Sequence, residues 1–150
     1  MRGYSRSVIA GAGIVLLLTA SACSKKDNAG TVETTSGAVS NAPVQVSDVK
    51  LGRALGADKR VTDETDEFRP ADVIYAVVET RGSAPNAALQ TRWTYQDGQV
   101  VDESSRNIST SGEDVTEFHI SKPSGWPKGK YTVQILLNGA PAESKEFEVK

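Results

Sequence analysis

From residue 44 onward, apolar side chains recur at every second position, and no segment holds a helical period over three turns. A period of two belongs to a strand that buries one face and wets the other. In residues 88–96, ALQTRWTYQ, the side chains of Leu89, Thr91, Trp93 and Tyr95 share one face, and those of Gln90, Arg92 and Thr94 share the other. Residues 129–138, GKYTVQILLN, gather Tyr131, Val133, Ile135 and Leu137 in the same way. Asp97-Gly98 and Asn138-Gly139 close these two runs, and such pairs mark hairpins because both residues tolerate positive φ. They predict returning strands at 99–103 and 143–149. Further strands are expected at 44–55, 73–80 and 115–120. In the first of these the apolar spacing changes between Val46 and Val49, which predicts a bulge. Pro70, Pro85, Pro123, Pro127 and Pro141 fall outside the predicted strand interiors, where a missing N–H is harmless. The expected fold is an all-β antiparallel sandwich of about seven strands over residues 44–150.

Two local patterns refine this expectation. Pro127-Lys128-Gly129-Lys130-Tyr131-Thr132-Val133 resembles the P-x-G-x-Y-x-V lead-in to a late strand of bacterial immunoglobulin-like and fibronectin-like domains. That resemblance implies a tyrosine packed inward with its hydroxyl on the backbone of the corner. Trp93 stands where such domains keep a core tryptophan. FRPADVIYAVVET (68–80), LQTRWTYQDGQVV (89–101), TEFHISKPSGWPKGKYTV (116–133) and SKEFEV (144–149) together resemble a recurrent domain of bacterial lipoproteins. The resemblance implies a fold and brings no activity.

The N-terminus carries a separate signal. Arg2 and Arg6 precede VIAGAGIVLLL (8–18), and small residues follow up to Ala22. This charged, apolar and small-residue order is that of a secretory signal, and the apolar run is shorter than the roughly 20 residues of a membrane span. Leu18-Thr19-Ala20-Ser21-Ala22-Cys23 resembles the lipobox of bacterial lipoproteins, although Ala20 stands where leucine is commonest. The resemblance implies cleavage before Cys23, the only cysteine in the chain, and acylation of its thiol. Ser24, in place of an aspartate, favours the outer membrane facing the periplasm under the enteric sorting rule. Residues 24–43 are rich in Ser, Thr, Gly, Ala and Asn and contain no aromatic residue, so with Cys23 they are expected to form a disordered tether. Twenty such residues have a root-mean-square span of roughly 25 Å.

Charge and composition exclude several functions. The chain carries 17 basic and 19 acidic side chains. Loss of residues 1–22 removes two arginines and no acid, leaving 15 and 19, a charge of −4. Nucleic acid is therefore not an expected partner. His119, the only histidine, lies in VTEFHI and is expected on a strand, surface-exposed or half-buried. One histidine and an acylated cysteine supply too few ligands for zinc, and no cofactor or metal is expected. Asp63, Glu64, Asp66 and Glu67 could offer oxygen ligands to calcium, but Arg60 and Arg69 flank them and no EF-hand order is present, so a solvated charged loop is favoured. Asp102, Glu103, Glu113 and Asp114 read as surface acids near turns. Trp126, in KPSGWPKG, either anchors a partner from an exposed loop or folds back to plug one end of the sandwich; the flanking prolines and Tyr131 favour the plug. The expected function is non-catalytic: a membrane-tethered binding or assembly module of the cell envelope, with a protein or glycan partner. The alternatives are an inhibitor of an envelope hydrolase, presenting residues 121–129 or 81–88, and a carboxylate-dependent hydrolase.

Overall fold

The computed structural model describes residues 42–150. The expected signal peptide, Cys23 and residues 24–41 of the tether lie outside the described residues. Within them the chain is all-β, with six strands and no helix: β1 (Gln45–Gly52), β2 (Glu67–Phe68), β3 (Ile74–Tyr95), β4 (Val100–Ile120), β5 (Gly129–Leu137) and β6 (Ala140–Val149).

Two strands are far longer than the sequence predicts, which reduces the seven expected strands to five, and the short β2, not expected from the sequence, makes the sixth. β3 has 22 residues and β4 has 21, and they pair antiparallel from Ile74↔Ile120 to Thr94↔Val100. Each absorbs two of the short predicted strands and the segment between them. Gly82 and Pro85 read as loop signals, yet Arg81, Gly82, Ser83 and Ala84 pair with Glu113, Gly112, Ser111 and Thr110. The register of the β3–β4 pair shifts between Ala84 and Ala87, and again between Trp93 and Thr94. Pro85 thus occupies a bulge, where no ladder N–H is required of it. Pro141 also lies inside a strand, opposite Leu136 and beside the shift between Ile135 and Leu136. Both prolines correct the expectation that all five lie outside strands: at an irregularity, proline bends a strand without ending it.

The long hairpin serves two wings of one hydrogen-bonded sheet. Its first half sets β3 between β1 and the end of β4, through pairs such as Val49↔Val78 and Val78↔Thr116. Its second half sets β3 between the start of β4 and β5, through Thr91↔Ser104 and Thr91↔Ile135. β6 follows β5, and β2 lies parallel on the far edge of β6 at Glu67↔Glu148 and Phe68↔Val149. One apolar cluster draws on both wings: Val49, Leu51, Ile74, Ala76, Val78, Phe118 and Ile120 from the first, and Leu89, Trp93, Tyr131, Val133, Ile135, Phe147 and Val149 from the second. Each fully buried aliphatic or aromatic side chain contributes about 1.5–3 kcal/mol. Trp93 is fully buried, sets its ring edge-on to Phe147 at 5.8 Å and donates its indole N–H to Thr91 Oγ1.

Smaller expectations are met as well. β1 shifts register between Val46 and Asp48, which keeps Val46, Val49 and Leu51 on the core side. Gly98 and Gly139 turn their hairpins at φ 85° and 81°, and Asn138 has φ 53°.

Strand directions define two poles. Residues 42–45 and 81–83 lie at one end of the first wing, because Gln45 pairs with Arg81 and Ser83 N–H donates to the Ala42 carbonyl at 2.8 Å. Gly82, at φ 111°, is required here, since a Cβ would meet the Pro43 carbonyl oxygen at 2.4 Å. Residues 42 and 43, expected within the tether, are therefore held against the sheet. Gly52, Ile74 and Ile120 lie at the other end, the loop pole.

Candidate functional site

The loop pole gathers most of the side chains that the sequence singles out. Its centre is the segment Ser121–Lys128, which joins β4 of one wing to β5 of the other. Its turn is closed by Gly125 N–H donating to the Lys122 carbonyl at 2.8 Å, with Gly125 at φ 81°. Trp126 follows, and only 7% of it is exposed. Its backbone N–H donates to the Pro70 carbonyl at 2.7 Å, and its indole N–H donates to the Asp72 carbonyl at 3.2 Å. Its ring meets Tyr131 edge-on at 6.2 Å, and Lys122 Nζ lies 5.8 Å from the ring centroid. The plug geometry is the one observed, and the indole is not presented as an exposed anchor.

Two tyrosines fix the rest of the corner. Tyr131, buried at 2% exposure, donates its hydroxyl to the Pro127 carbonyl at 2.7 Å, as the P-x-G-x-Y-x-V resemblance implies. It stacks on Phe147 at 5.2 Å, and burial, with a smaller contribution from Tyr95, pushes its pKa above the ordinary tyrosine value of 10.0. Tyr95 donates to the Lys128 carbonyl at 2.9 Å, and Lys130 N–H donates to Gln96 Oε1 at 3.2 Å. Sequence reading missed this second tyrosine. It assigned Tyr95 to a strand face, and its link to residue 128 depends on a pairing of β3 with β5 that the local sequence does not encode. The result is a rigid base under an exposed tip: Ser121, Lys122, Pro123, Ser124, Pro127 and Lys128 are all open to solvent.

Beside the tip, Val101, Asp102, His119, Ile120, Ser121, Lys122 and Trp126 line a shallow cleft of about 410 Å³. His119 is exposed on β4, its Nδ1 lies 2.7 Å from Glu117 Oε1, and its ring is 5.5 Å from that of Tyr75. Asp102 accepts from Ser104 Oγ at 3.1 Å. The expectation that Asp102 is an ordinary surface acid near a turn needs correction. It pairs with buried Trp93 inside β4, so its side chain points between the wings. Ser104 and Arg106, opposite Thr91 and Leu89, point the same way, and the Arg106 guanidinium lies 5.6 Å from the Phe118 ring centroid.

The acidic stretch at 63–67 disperses into separate contacts. Asp63 pairs with Arg53 at 2.9 Å, which raises the arginine pKa through their hydrogen bond. Glu67 pairs with Lys150 and raises the lysine pKa in the same way. Glu64 bridges Gly52 in a small two-stranded turn closed by Lys59 at φ 62°. Among the described residues no three His, Cys, Asp or Glu side chains converge to hold a metal ion. Residues 81–88, the second segment considered for presentation to an enzyme, are not a loop at all but part of β3.

Solved structures resemble this domain in fold. An immunoglobulin-like protein from Pseudomonas aeruginosa matches 73% of the chain and 98% of its own length, with a TM-score of 0.51 and 16% identity. A cycloisomaltooligosaccharide glucanotransferase from Paenibacillus matches 71% of the chain through 14% of its own length, with a TM-score of 0.52 and 14% identity. No protein-family model and no curated protein matches the sequence. The described residues therefore form an all-β domain that resembles an immunoglobulin-like protein in fold.

Proposed function

We propose that this chain is a lipid-tethered, non-catalytic binding or assembly module of the bacterial cell envelope. Its domain would be an immunoglobulin/fibronectin-III-type antiparallel sandwich whose two long strands each count twice. Its anchor would be acylated Cys23, on the outer membrane facing the periplasm, and its partner an envelope protein or glycan met at the loop pole. The observation that carries the binding reading is the rigid base of the Ser121–Lys128 tip. The Trp126, Tyr131 and Tyr95 bonds hold its backbone while six residues stay open. A surface already fixed in its bound shape loses little conformational entropy on association.

The same tip leaves an inhibitor of an envelope hydrolase as the second reading, now confined to residues 121–129. In-cell crosslinking from a photoreactive residue at Ser124, followed by mass spectrometry, tests both. A reproducible envelope partner is expected. A stoichiometric hydrolase among the products favours inhibition, whereas crosslinks that do not exceed those from a probe at Ala140, at the far end of β5 and β6, overturn both.

A further inference from the structure

The loop pole is not the only surface equipped for contact. On β6, Glu148 N–H donates to the Asp66 carbonyl at 2.8 Å and Lys150 N–H donates to the Phe68 carbonyl at 2.9 Å. This edge already accepts an extended segment at its lower end, in the form of β2. Backbone groups alternate sides along a strand, so Glu146 and Ser144, which lie on the C-terminal side of the register shift at Glu143/Pro141, turn their N–H and C=O groups to the same edge. Among the described residues nothing pairs with them. Beside this edge runs a groove between the wings, lined by Val49, Leu51, Glu64, Thr65, Asp66, Lys145 and Glu146. Val49 and Leu51, both buried, are the apolar part of its lining, and the rest is polar or charged. Among the described residues its three carboxylates, Glu64, Asp66 and Glu146, make no ion pair, and its one cation, Lys145, is paired with Glu143 at 3.6 Å.

We propose that the free edge of β6 is a docking site for a cationic, extended polypeptide segment that adds as a strand beside Ser144 and Glu146. Main-chain pairing supplies the affinity in this mode, and side chains at alternate positions supply the selection. Apolar residues of the incoming segment would face Val49 and Leu51, and its lysines or arginines would face Glu64, Asp66 and Glu146. A second copy of this chain does not fit, because strand-on-strand pairing of β6 with itself would bring two acidic rows together. The inference stands apart from the loop-pole reading, since the two surfaces share no residue.

The test is titration of acetyl-Lys-Val-Lys-Val-Lys-amide into the ¹⁵N-labelled full chain in detergent micelles at low salt. Saturable amide shifts are expected at Ser144, Glu146 and Glu64–Asp66. The glutamate-for-lysine peptide should not bind, and a peptide N-methylated on the pairing side should not bind either. Combining Glu64→Gln, Asp66→Asn and Glu146→Gln should weaken binding about tenfold or more. No saturation at millimolar peptide, equal binding of both charge types, full binding by the N-methylated peptide, or shifts confined to other strands would overturn the proposal. The peptide controls decide it even if the triple variant fails to fold.

Discussion

At the scale of single residues, the loop pole depends on three aromatic side chains, Trp126, Tyr131 and Tyr95, that each combine an apolar body with one satisfied polar atom. Replacing Trp126 by Ala removes a buried ring and leaves the Asp72 carbonyl without its donor. The expected loss is about 3–5 kcal/mol, read from urea unfolding midpoints. Trp126→Phe keeps most of the ring volume and should lose markedly less. Tyr131→Phe removes only the hydroxyl bonded to Pro127 and should cost about 1 kcal/mol. Its clearer signature lies in pH. The folded-state pKa of Tyr131 is raised above 10.0, so the neutral phenol is favoured by folding. Stability from this source is complete below pH 10, and it falls as the unfolded chain ionises first on the way up to the folded-state pKa. Tyr131→Phe should flatten that part of the alkaline decline in unfolding free energy. An unchanged slope above pH 10 would show that other groups set it.

At the scale of elements, the open β4 flank between the wings is guarded by charge. Asp102, Ser104 and Arg106 point inward from β4, opposite Trp93, Thr91 and Leu89. Inward-facing charge on an edge strand discourages pairing with another chain. Replacing Asp102 and Arg106 together by Val should therefore produce concentration-dependent self-association in sedimentation velocity, with the all-β circular dichroism spectrum retained. Gly139→Ala is a milder test, since a Cβ there meets nothing within 4 Å and only φ 81° opposes it. It should cost about 1 kcal/mol. These elements also show what the sequence conveys. The alternating faces of 88–96 and 129–138, their Asx-Gly turns, the Val46–Val49 irregularity and the tyrosine corner are legible because each is a local pattern. The continuity of β3 through Gly82 and Pro85 is not, because breaker residues mark both bends and breaks, and only pairing with residues 110–113 decides between them. The inward charge of Asp102 and the bond of Tyr95 to residue 128 escape for the same reason: both are set by partners from distant stretches of chain.

At the scale of the whole molecule, reach decides which partners the tip can meet. Residues 42–43 are held at the pole opposite the Ser121–Lys128 tip, and Ile74 to Arg81 of β3 spans the interval between the two, about 23 Å at 3.3 Å per residue. If Cys23 carries acyl chains and residues 24–41 behave as the disordered tether that their composition predicts, a root-mean-square span of roughly 23 Å adds to that length, and the tip would sample space about 45 Å from the bilayer. Halving the tether reduces its span only to about 17 Å, because span grows with the square root of length. Deleting residues 29–38 should thus spare a partner crosslinked near the same membrane and deplete one crosslinked from farther out, while leaving the thermal unfolding midpoint of the domain unchanged. Cys23→Ala removes the anchor altogether. A single thioether-linked diacyl group contributes about 0.8 kcal/mol for each buried methylene, far more than an acidic domain can recover by surface attraction. The variant is therefore expected to leave the membrane fraction or to accumulate unprocessed, with partner crosslinks from Ser124 lost because the tip is no longer concentrated at the surface. Retention of Cys23→Ala on membranes at the parent level, through washes at high salt, would mean that the domain itself holds the bilayer, and both the reach of the tip and the assignment of its partner would have to be argued again from a different orientation.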